Sequence, residues 1–226
     1  EIASSLESLG GSLDAFTSKE VTCYYARFLD EHLPIAVEVL SDILQDSLFA
    51  PDELEKEKGV IIEEIKSFQD SPDELALDLI FKAVFRKHPL ANPVLGIAET
   101  VKSFSQEDVK DYVASRYTSG RVVVAAAGNV DHQTLTQLCG KSFAFPVSNS
   151  SDKEDRYPPS SAHVETRRRK DISQVHACLG SRTFQYNHPD RYPLLLLNAI
   201  LGGGMSSRLF QKLREEEGLV YSIFSY

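Results

Sequence analysis

Three shortages in this sequence each exclude a class of protein. Its 226 residues include only three cysteines, widely spaced and odd in number, which argues against a disulfide framework and favours reduced, mostly buried thiols. No apolar run approaches the roughly 18 residues of a membrane span. A net charge of −9 argues against nucleic acid as the main partner. No signal segment opens the chain, but it also lacks an initiator Met, so a targeting segment could precede Glu1. The reduced-looking cysteines make the cytoplasm the default compartment.

Hydrophobic residues make up 42% of the sequence and charged residues 25%, which is enough to build a packed core. Apolar periodicity predicts a mixture of helices and strands. Helices are expected at residues 1–9, 34–48, 51–68, 73–85, 105–117, 130–140, 189–201 and 206–217. Strands are expected at residues 12–19 and 21–29, which are close enough to pair antiparallel, and at 121–127, 173–183 and 219–224.

A stretch rich in Ser, Asp and Pro interrupts this pattern and marks a linker or long surface loop. We therefore expect an α+β fold of two tandem units, each an antiparallel sheet with helices on one face. The first unit would occupy residues 1–147, the linker 148–162 and the second unit 163–226. Because the chain stops inside the last expected strand, the second unit looks unfinished.

The predicted helix at 51–68 carries the most informative residues, Glu57 and Glu64. Helical spacing places them on one stripe with Ile61, Ile65 and Phe68. A carboxylate held among isoleucines is costly unless a cation, a metal or hydrogen-bond donors compensate it. Two such carboxylates suggest a functional site. The alternative is a structural helix whose glutamates cap backbone groups or pair with arginines.

Three motifs are spread along the chain. The first is Leu-Gly-Gly-Ser-Leu-Asp-Ala-Phe-Thr-Ser-Lys-Glu at residues 9–20, followed by Thr-Cys-Tyr-Tyr at 22–25. The second is Glu-Lys-Gly-Val-Ile-Ile-Glu-Glu-Ile at 57–65, with Glu57 and Glu64. The third, at 201–221, contains Gly-Gly-Gly-Met-Ser-Ser-Arg-Leu-Phe-Gln-Lys-Leu-Arg-Glu-Glu. Together they resemble the pitrilysin/insulinase family of zinc peptidases (peptidase family M16), which includes mitochondrial processing peptidase and its bacterial relatives.

The resemblance implies a zinc site in which two histidines of a His-x-x-Glu-His helix and a distal glutamate hold the metal. Glu64 matches that distal glutamate, and Glu57 matches an acid that the family places behind the metal. The glutamate within the helix motif would act as general base. The histidine motif would precede Glu1 and is absent from this chain. We therefore expect an incomplete zinc site, and a segment inactive by itself.

The resemblance also assigns substrate contacts. The strand with Ser12, Asp14, Ala15, Phe16 and Thr17 would pair with an extended peptide through main-chain hydrogen bonds; family members usually carry Asn where this chain has Asp14. An ordinary edge strand is the alternative.

A further pair, Arg214 and Tyr221, matches an arginine and a tyrosine that reach the active centre from the opposite half of the molecule. The alternative makes Arg214 a solvated helix residue that pairs with Glu217 or its neighbours, and Tyr221 a half-buried strand residue.

Family members of this type close a chamber by pairing two lobes, which implies a homodimer or heterodimer with peptide as substrate. The leading hypothesis is a zinc-dependent endopeptidase. The rival is a non-catalytic homologue that serves as a partner or assembly subunit. The presence of Glu57 and Glu64 together with Arg214 and Tyr221 favours the enzyme, because inactive relatives tend to lose one set or the other.

Overall fold

Helices dominate the fold, and a single antiparallel hairpin is its only paired β-structure within the described residues. The computed structural model describes residues 2–147, 163–170 and 172–226. The first helices and strands are α1 (Ile2–Glu7), β1 (Ser12–Thr17), β2 (Thr22–Arg27), α2 (Leu33–Gln45), α3 (Pro51–Asp70) and α4 (Pro72–Phe85). They are followed by α5 (Ala98–Ser103), α6 (Gln106–Arg116), α7 (His132–Ser142), α8 (Arg191–Gly202) and a π-helix (Phe210–Glu216). Short 3-10 turns lie at Asp30–His32 and Pro89–Ala91.

The chain divides into two compact units, Glu1–Leu179 and Gly180–Tyr226. The proposed linker at residues 148–162 lies outside the described residues, so the predicted domain limits stay a prediction. The α+β class is confirmed by the helices together with the hairpin. In the described part of the chain, no helix combines the length and apolar character needed to cross a membrane.

The hairpin forms as the sequence predicts, with β1 antiparallel to β2 and Asp14 opposite Tyr25. Two glycines set its start after α1. Gly10 has a φ of +76°, which favours glycine, and a Cβ on Gly11 would lie 2.9 Å from the backbone oxygen of Arg27. This tight turn fixes where β1 begins.

Helix α3 begins at Pro51 as the sequence predicts and ends at Asp70, slightly beyond the predicted limit at Phe68. Pro51 lies in its first turn, and Asp52 and Glu53 complement the positive end of the helix dipole there. The N–H of Ser71 donates to the carbonyl of Phe68 at the end of α3, and Pro72 starts α4. Together α3 and α4 form a helical hairpin that carries the candidate metal ligand.

A capping box starts α6, as expected from Ser105 and Asp108. The Asp108 N–H donates to Ser105 Oγ at 3.1 Å, and the Ser105 N–H donates back to the Asp108 carboxylate at 2.8 Å. Hydrogen bonds from the Ser105 side chain and backbone lower the pKa of Asp108. Helix α5 was not predicted, because its six residues are too few to show helical periodicity.

The expected strands at residues 121–127, 173–183 and 219–224 are wrong as elements of this structure, since none of them carries strand pairing. Backbone groups form a strand only when a neighbouring strand supplies hydrogen bonds. Side chains in the first two segments are strongly exposed, with Val123 at 89% and Val175 at 94%. These segments have the composition of strands but no partner among the described residues.

All three cysteines are free, which confirms unpaired thiols. Cys23 and Cys139 are half-buried, whereas Cys178 is exposed, so the expectation of burial is wrong there. Cys178 lies in an unpaired segment, where no neighbouring strand covers it. Burial raises the pKa of the Cys139 thiol.

Helix α2 is tied to the end of α7 by the Gln45 side-chain amide. Its Nε2 donates to the Ser142 carbonyl at 2.9 Å, and its Oε1 accepts from the Ala144 N–H at 2.6 Å. Both groups belong to backbone at a helix C-terminus, where carbonyls lack intrahelical partners. One side chain of α2 therefore satisfies two backbone groups at the end of α7.

Replacing Gln45 with alanine should lower the free energy of unfolding of the full-length protein by about 1–2 kcal/mol, since the two hydrogen bonds to the end of α7 and a third to the Ser41 carbonyl are lost. Gln133, exposed in the first turn of α7, provides the matched control, and Gln133→Ala should change stability by less than about 0.5 kcal/mol. Urea denaturation followed by circular dichroism measures both. Equal midpoints for the two variants would show that the Gln45 contacts contribute nothing.

Candidate functional site

Three of the glutamates of α3 are paired with a lysine, and two have no cation partner among the described residues. Glu53, Glu55 and Glu63 each accept from a lysine three residues later, at 2.5–2.6 Å. Glu57 and Glu64 are exposed and form no ion pair or hydrogen bond with the described residues. The helix therefore presents these two carboxylates free for an external ligand.

One part of the sequence argument is wrong: Glu57 and Glu64 are not held among isoleucines. The buried residues of α3 are Lys58 and Ile65, each immediately after one of the glutamates. Consecutive helical residues are about 100° apart, so burying Lys58 and Ile65 turns both glutamates out toward solvent. Their carboxylates flank the apolar stripe, and the desolvation cost expected from the sequence does not arise.

Lys58 is a buried cation that the sequence argument missed. Its Nζ donates to Glu55 at 2.5 Å and lies 3.5 Å from the Lys102 carbonyl, at the C-terminal end of α5. A cation is favourable beside the carbonyl end of a helix. The sequence shows the i,i+3 spacing of Glu55 and Lys58, but the apolar pattern does not indicate that Lys58 is buried. Lys58 thus helps to fix the rotation of α3 about its axis.

Glu64 lies seven positions after Glu57, which is about 10.5 Å along a helix axis. A zinc ion lies about 2 Å from a carboxylate oxygen that binds it. An ion bound at Glu64 would therefore lie about two helical turns from Glu57.

The carboxylate of Glu64 fits zinc as one oxygen ligand, because it is exposed and no hydrogen bond or ion pair among the described residues occupies it. A complete site needs three or more ligands. Across residues 2–147, 163–170 and 172–226, no group of three His, Cys, Asp or Glu side chains could hold a metal ion. Glu64 would have to share the metal with donors from outside this described set.

Strand β1 carries the predicted substrate-contacting residues, and its most constrained side chain is Asp14. One carboxylate oxygen accepts from the Ala15 N–H at 2.8 Å, and the other accepts from the Tyr25 hydroxyl at 2.9 Å. Hydrogen bonding to Asp14 and its negative charge raise the pKa of Tyr25. Phe16 lies beside Tyr25 with ring centroids 6.3 Å apart, while Ser12 and Thr17 are exposed at the strand ends.

Lys19, in the turn after β1, anchors the hairpin to α4 and was missed by sequence reasoning. Its Nζ lies 3.1 Å from Asp78 and 2.6 Å from the Asn92 carbonyl, and it is 5.1 Å from the Phe81 ring centroid. Both partners of the ion pair are mostly shielded from solvent. An apolar cavity of about 320 Å³ lies beside this anchor, lined in part by Ile65 and Phe68 of α3. The hairpin and α3 therefore border a common space.

The second unit holds Arg214 and Tyr221. Arg214 lies over the Phe210 ring at 4.7 Å, with its Nε 4.0 Å from Glu215, while Lys212 pairs with Glu217 at 3.1 Å. Gly218, at a φ of +61°, ends the π-helix, and the Leu219 N–H donates to the Leu213 carbonyl. Tyr221 follows this turn at 86% exposure, which excludes the half-buried strand position.

Comparisons with known proteins identify both parts of the chain. Residues 1–97 match the family model described as Insulinase (Peptidase family M16), and residues 103–226 match the model described as Peptidase M16 inactive domain. The uncharacterized zinc protease YmxG of Bacillus subtilis is 42% identical over 227 residues, which cover 100% of this chain and 55% of that protein.

Two solved structures show the same fold at low identity. The peptidase M16 inactive domain from Pseudomonas fluorescens superposes with a TM-score of 0.83 at 22% identity, over 99% of this chain and 55% of that one. A chain of Complex III2 from Candida albicans superposes with a TM-score of 0.70 at 21% identity, over 96% of this chain and 55% of that one. The chain spans about half the length of the curated relatives it matches.

Proposed function

Because this chain belongs to peptidase family M16, we propose that the full-length protein carrying it is a zinc-dependent endopeptidase that cleaves extended peptides. The observation that carries the proposal is which glutamates of α3 are paired with a cation and which are not. Among its five glutamates, the two at the positions expected for the metal site lack any cation partner in the described chain, whereas the other three are paired. Unpaired carboxylates on a rigid helix are suited to bind a metal ion.

In this proposal, Glu64 supplies a carboxylate oxygen to the metal. Glu57, two turns earlier on the same helix, orients a neighbouring ligand or water by hydrogen bonding. Zinc, when bound, acts as a Lewis acid and lowers the pKa of a bound water toward neutrality. The histidine ligands and the general-base glutamate would come from sequence outside this chain.

The substrate would bind as an extra strand on the open edge of β1, along Ser12, Asp14, Ala15, Phe16 and Thr17. Main-chain hydrogen bonds to such an edge give affinity with little dependence on sequence. From the second unit, the exposed Tyr221 hydroxyl would donate to the oxyanion that develops during attack, and Arg214 would bind substrate backbone or carboxylate. Bringing these groups to the metal requires a second lobe or subunit, as a homodimer or heterodimer.

The rival proposal is a non-catalytic assembly subunit. It is favoured by the match of residues 103–226 to a model described as an inactive domain, and by the shared fold with a chain of Complex III2. Such a subunit would keep the hairpin and helices for packing and would need no metal.

Metal removal separates the two proposals. The full-length protein should contain about one zinc per active site and hydrolyse an unstructured peptide. Chelation should abolish hydrolysis, and stoichiometric zinc should restore it. Elemental analysis and mass spectrometry of the products provide the two measurements. A protein that contains no zinc and cleaves no peptide in the presence of added zinc would support the assembly subunit instead.

A further inference from the structure

The open edge of β1 presents the Ala15 N–H. In an antiparallel pair, a residue either exchanges both backbone hydrogen bonds with its partner or points both groups away. The Ala15 N–H donates to the carboxylate of Asp14, which indicates that it points away from β2. Within the described chain, β1 pairs with β2 and no other strand. A strand added to this edge would therefore use the Ala15 N–H.

The Asp14 carboxylate already covers that N–H, and it has no cation of its own. Its two hydrogen bonds, from Ala15 and Tyr25, fix both oxygens. The side chain is exposed, and no Lys, Arg or His of the described residues lies within ion-pair distance of it. Arg27, on the same face of the hairpin, lies over the Tyr25 ring at 5.8 Å. An incoming strand therefore meets an unneutralised carboxylate.

On the basis of the proposed function, we propose that Asp14 is a specificity-determining residue. It favours peptides in which a lysine or arginine side chain of the added strand lies beside the Asp14 carboxylate. Pairing with the Ala15 N–H displaces one Asp14 oxygen from its donor. A carboxylate that loses a donor is destabilised unless another donor replaces it, and a cationic donor is the strongest replacement. Directly opposed side chains on paired strands lie close enough to form this contact.

The charge of the peptide side chain decides whether the Asp14 oxygen that loses the Ala15 N–H gains a new donor. A neutral aliphatic side chain leaves the displaced oxygen to water, and an acidic one adds repulsion across the strands. Asparagine at position 14 would keep one oxygen to accept from the Ala15 N–H, while its Nδ2 would donate to the Tyr25 hydroxyl in place of the second acceptor. The isosteric change Asp14→Asn therefore removes the negative charge while both contacts of the side chain can be kept.

Peptide binding to the full-length protein tests this proposal. The probes are short fluorescein-labelled peptides of Ala, Ser and Thr that carry either one lysine or one norleucine at each position in turn. Fluorescence anisotropy is read in the presence of a chelator, so that zinc-dependent hydrolysis does not consume the probe. At one position of the series, lysine should bind about two- to fivefold more tightly than norleucine. In Asp14→Asn this ratio should fall to about one.

Glu20→Gln is the matched control, because Glu20 is an exposed acid in the turn of the same hairpin. It should keep the wild-type ratio. An unchanged ratio in Asp14→Asn, an equal loss in Glu20→Gln, or no binding of any peptide would overturn the proposal. A protein that selects lysine through Asp14 but cleaves nothing after zinc is restored would refute the peptidase proposal alone.

Discussion

Replacing Glu64 with glutamine in the full-length protein should remove bound zinc and lower kcat/KM for peptide hydrolysis by more than about 100-fold, since even groups behind a metal contribute 10–100-fold. A neutral amide is a far weaker zinc ligand than a carboxylate. The side chain is exposed on α3 and bonds to no described residue, so its replacement breaks no packing or ion pair. The measurements are zinc content by elemental analysis and initial rates of hydrolysis.

Two variants of neighbouring glutamates test whether the loss of zinc and activity is specific to Glu64. Glu63→Gln changes the adjacent glutamate, which is also exposed but pairs with Lys66 at 2.6 Å. It should retain zinc and activity. Glu57→Gln should retain zinc and lower kcat by about 10–100-fold, as expected for a group that orients a metal ligand or water. Equal zinc contents in Glu64→Gln and Glu63→Gln would remove Glu64 as a ligand.

The free state of Glu57 and Glu64 could be predicted from the sequence, although the face they occupy could not. Lysines follow Glu53, Glu55 and Glu63 by three residues, and none follows Glu57 or Glu64 at three or four. The predicted face was wrong because Lys58 is buried, bonded to Glu55 and close to the Lys102 carbonyl of α5. Periodicity counts a lysine as polar, but tertiary contacts decide whether it is exposed.

Local sequence predicted helices better than it predicted strands, for a physical reason. The limits of α3 and the capping box of α6 depend on groups within a few residues of each other. Residues 121–127 have strand composition, yet a strand forms only against a partner that can lie far away in sequence. The hairpin was predictable because β2 follows β1 after a short turn.

The roles of Arg214 and Tyr221 depend on the family resemblance and not on local geometry. Arg214 has a ring contact with Phe210 and a long contact with Glu215, which fits the solvated helix residue of the alternative reading. Tyr221 is mostly exposed, and the hydrogen-bonded turn at Gly218 directs its segment back from the π-helix. An exposed tyrosine with a defined backbone is free to donate to a ligand that another lobe presents.

The segment that carries Tyr221 depends on Gly202, so Gly202→Ala should destabilise the second unit of the full-length protein by about 3 kcal/mol, near the upper end for overpacking. A Cβ at this position would lie 2.5 Å from the Ser225 backbone nitrogen and 2.9 Å from the Phe224 carbonyl carbon. Backbone atoms cannot rotate away as a side chain can. Relief of the clash has to separate the end of α8 from residues 224–225.

That separation would also break the contacts that hold the segment to α8. The Ser225 N–H donates to the Gly202 carbonyl at 3.2 Å, Asn198 Nδ2 donates to the Ser225 carbonyl at 3.1 Å, and Ser225 Oγ donates to the Asn198 carbonyl at 2.9 Å. In Gly202→Ala, hydrogen exchange at the Ser225 amide should accelerate together with the loss of thermal stability. Activity should fall as well, because Tyr221 would lose its fixed backbone.

Gly204, two residues later, provides the control because a Cβ there would meet no atom within 4 Å. Gly204→Ala should therefore leave the melting temperature and the Ser225 exchange rate close to wild type. If both alanine variants melt and exchange alike, the close approach of α8 to residues 224–225 does not hold the segment. If Gly202→Ala alone loses stability and activity together, the glycine run acts as a packing turn that positions Tyr221.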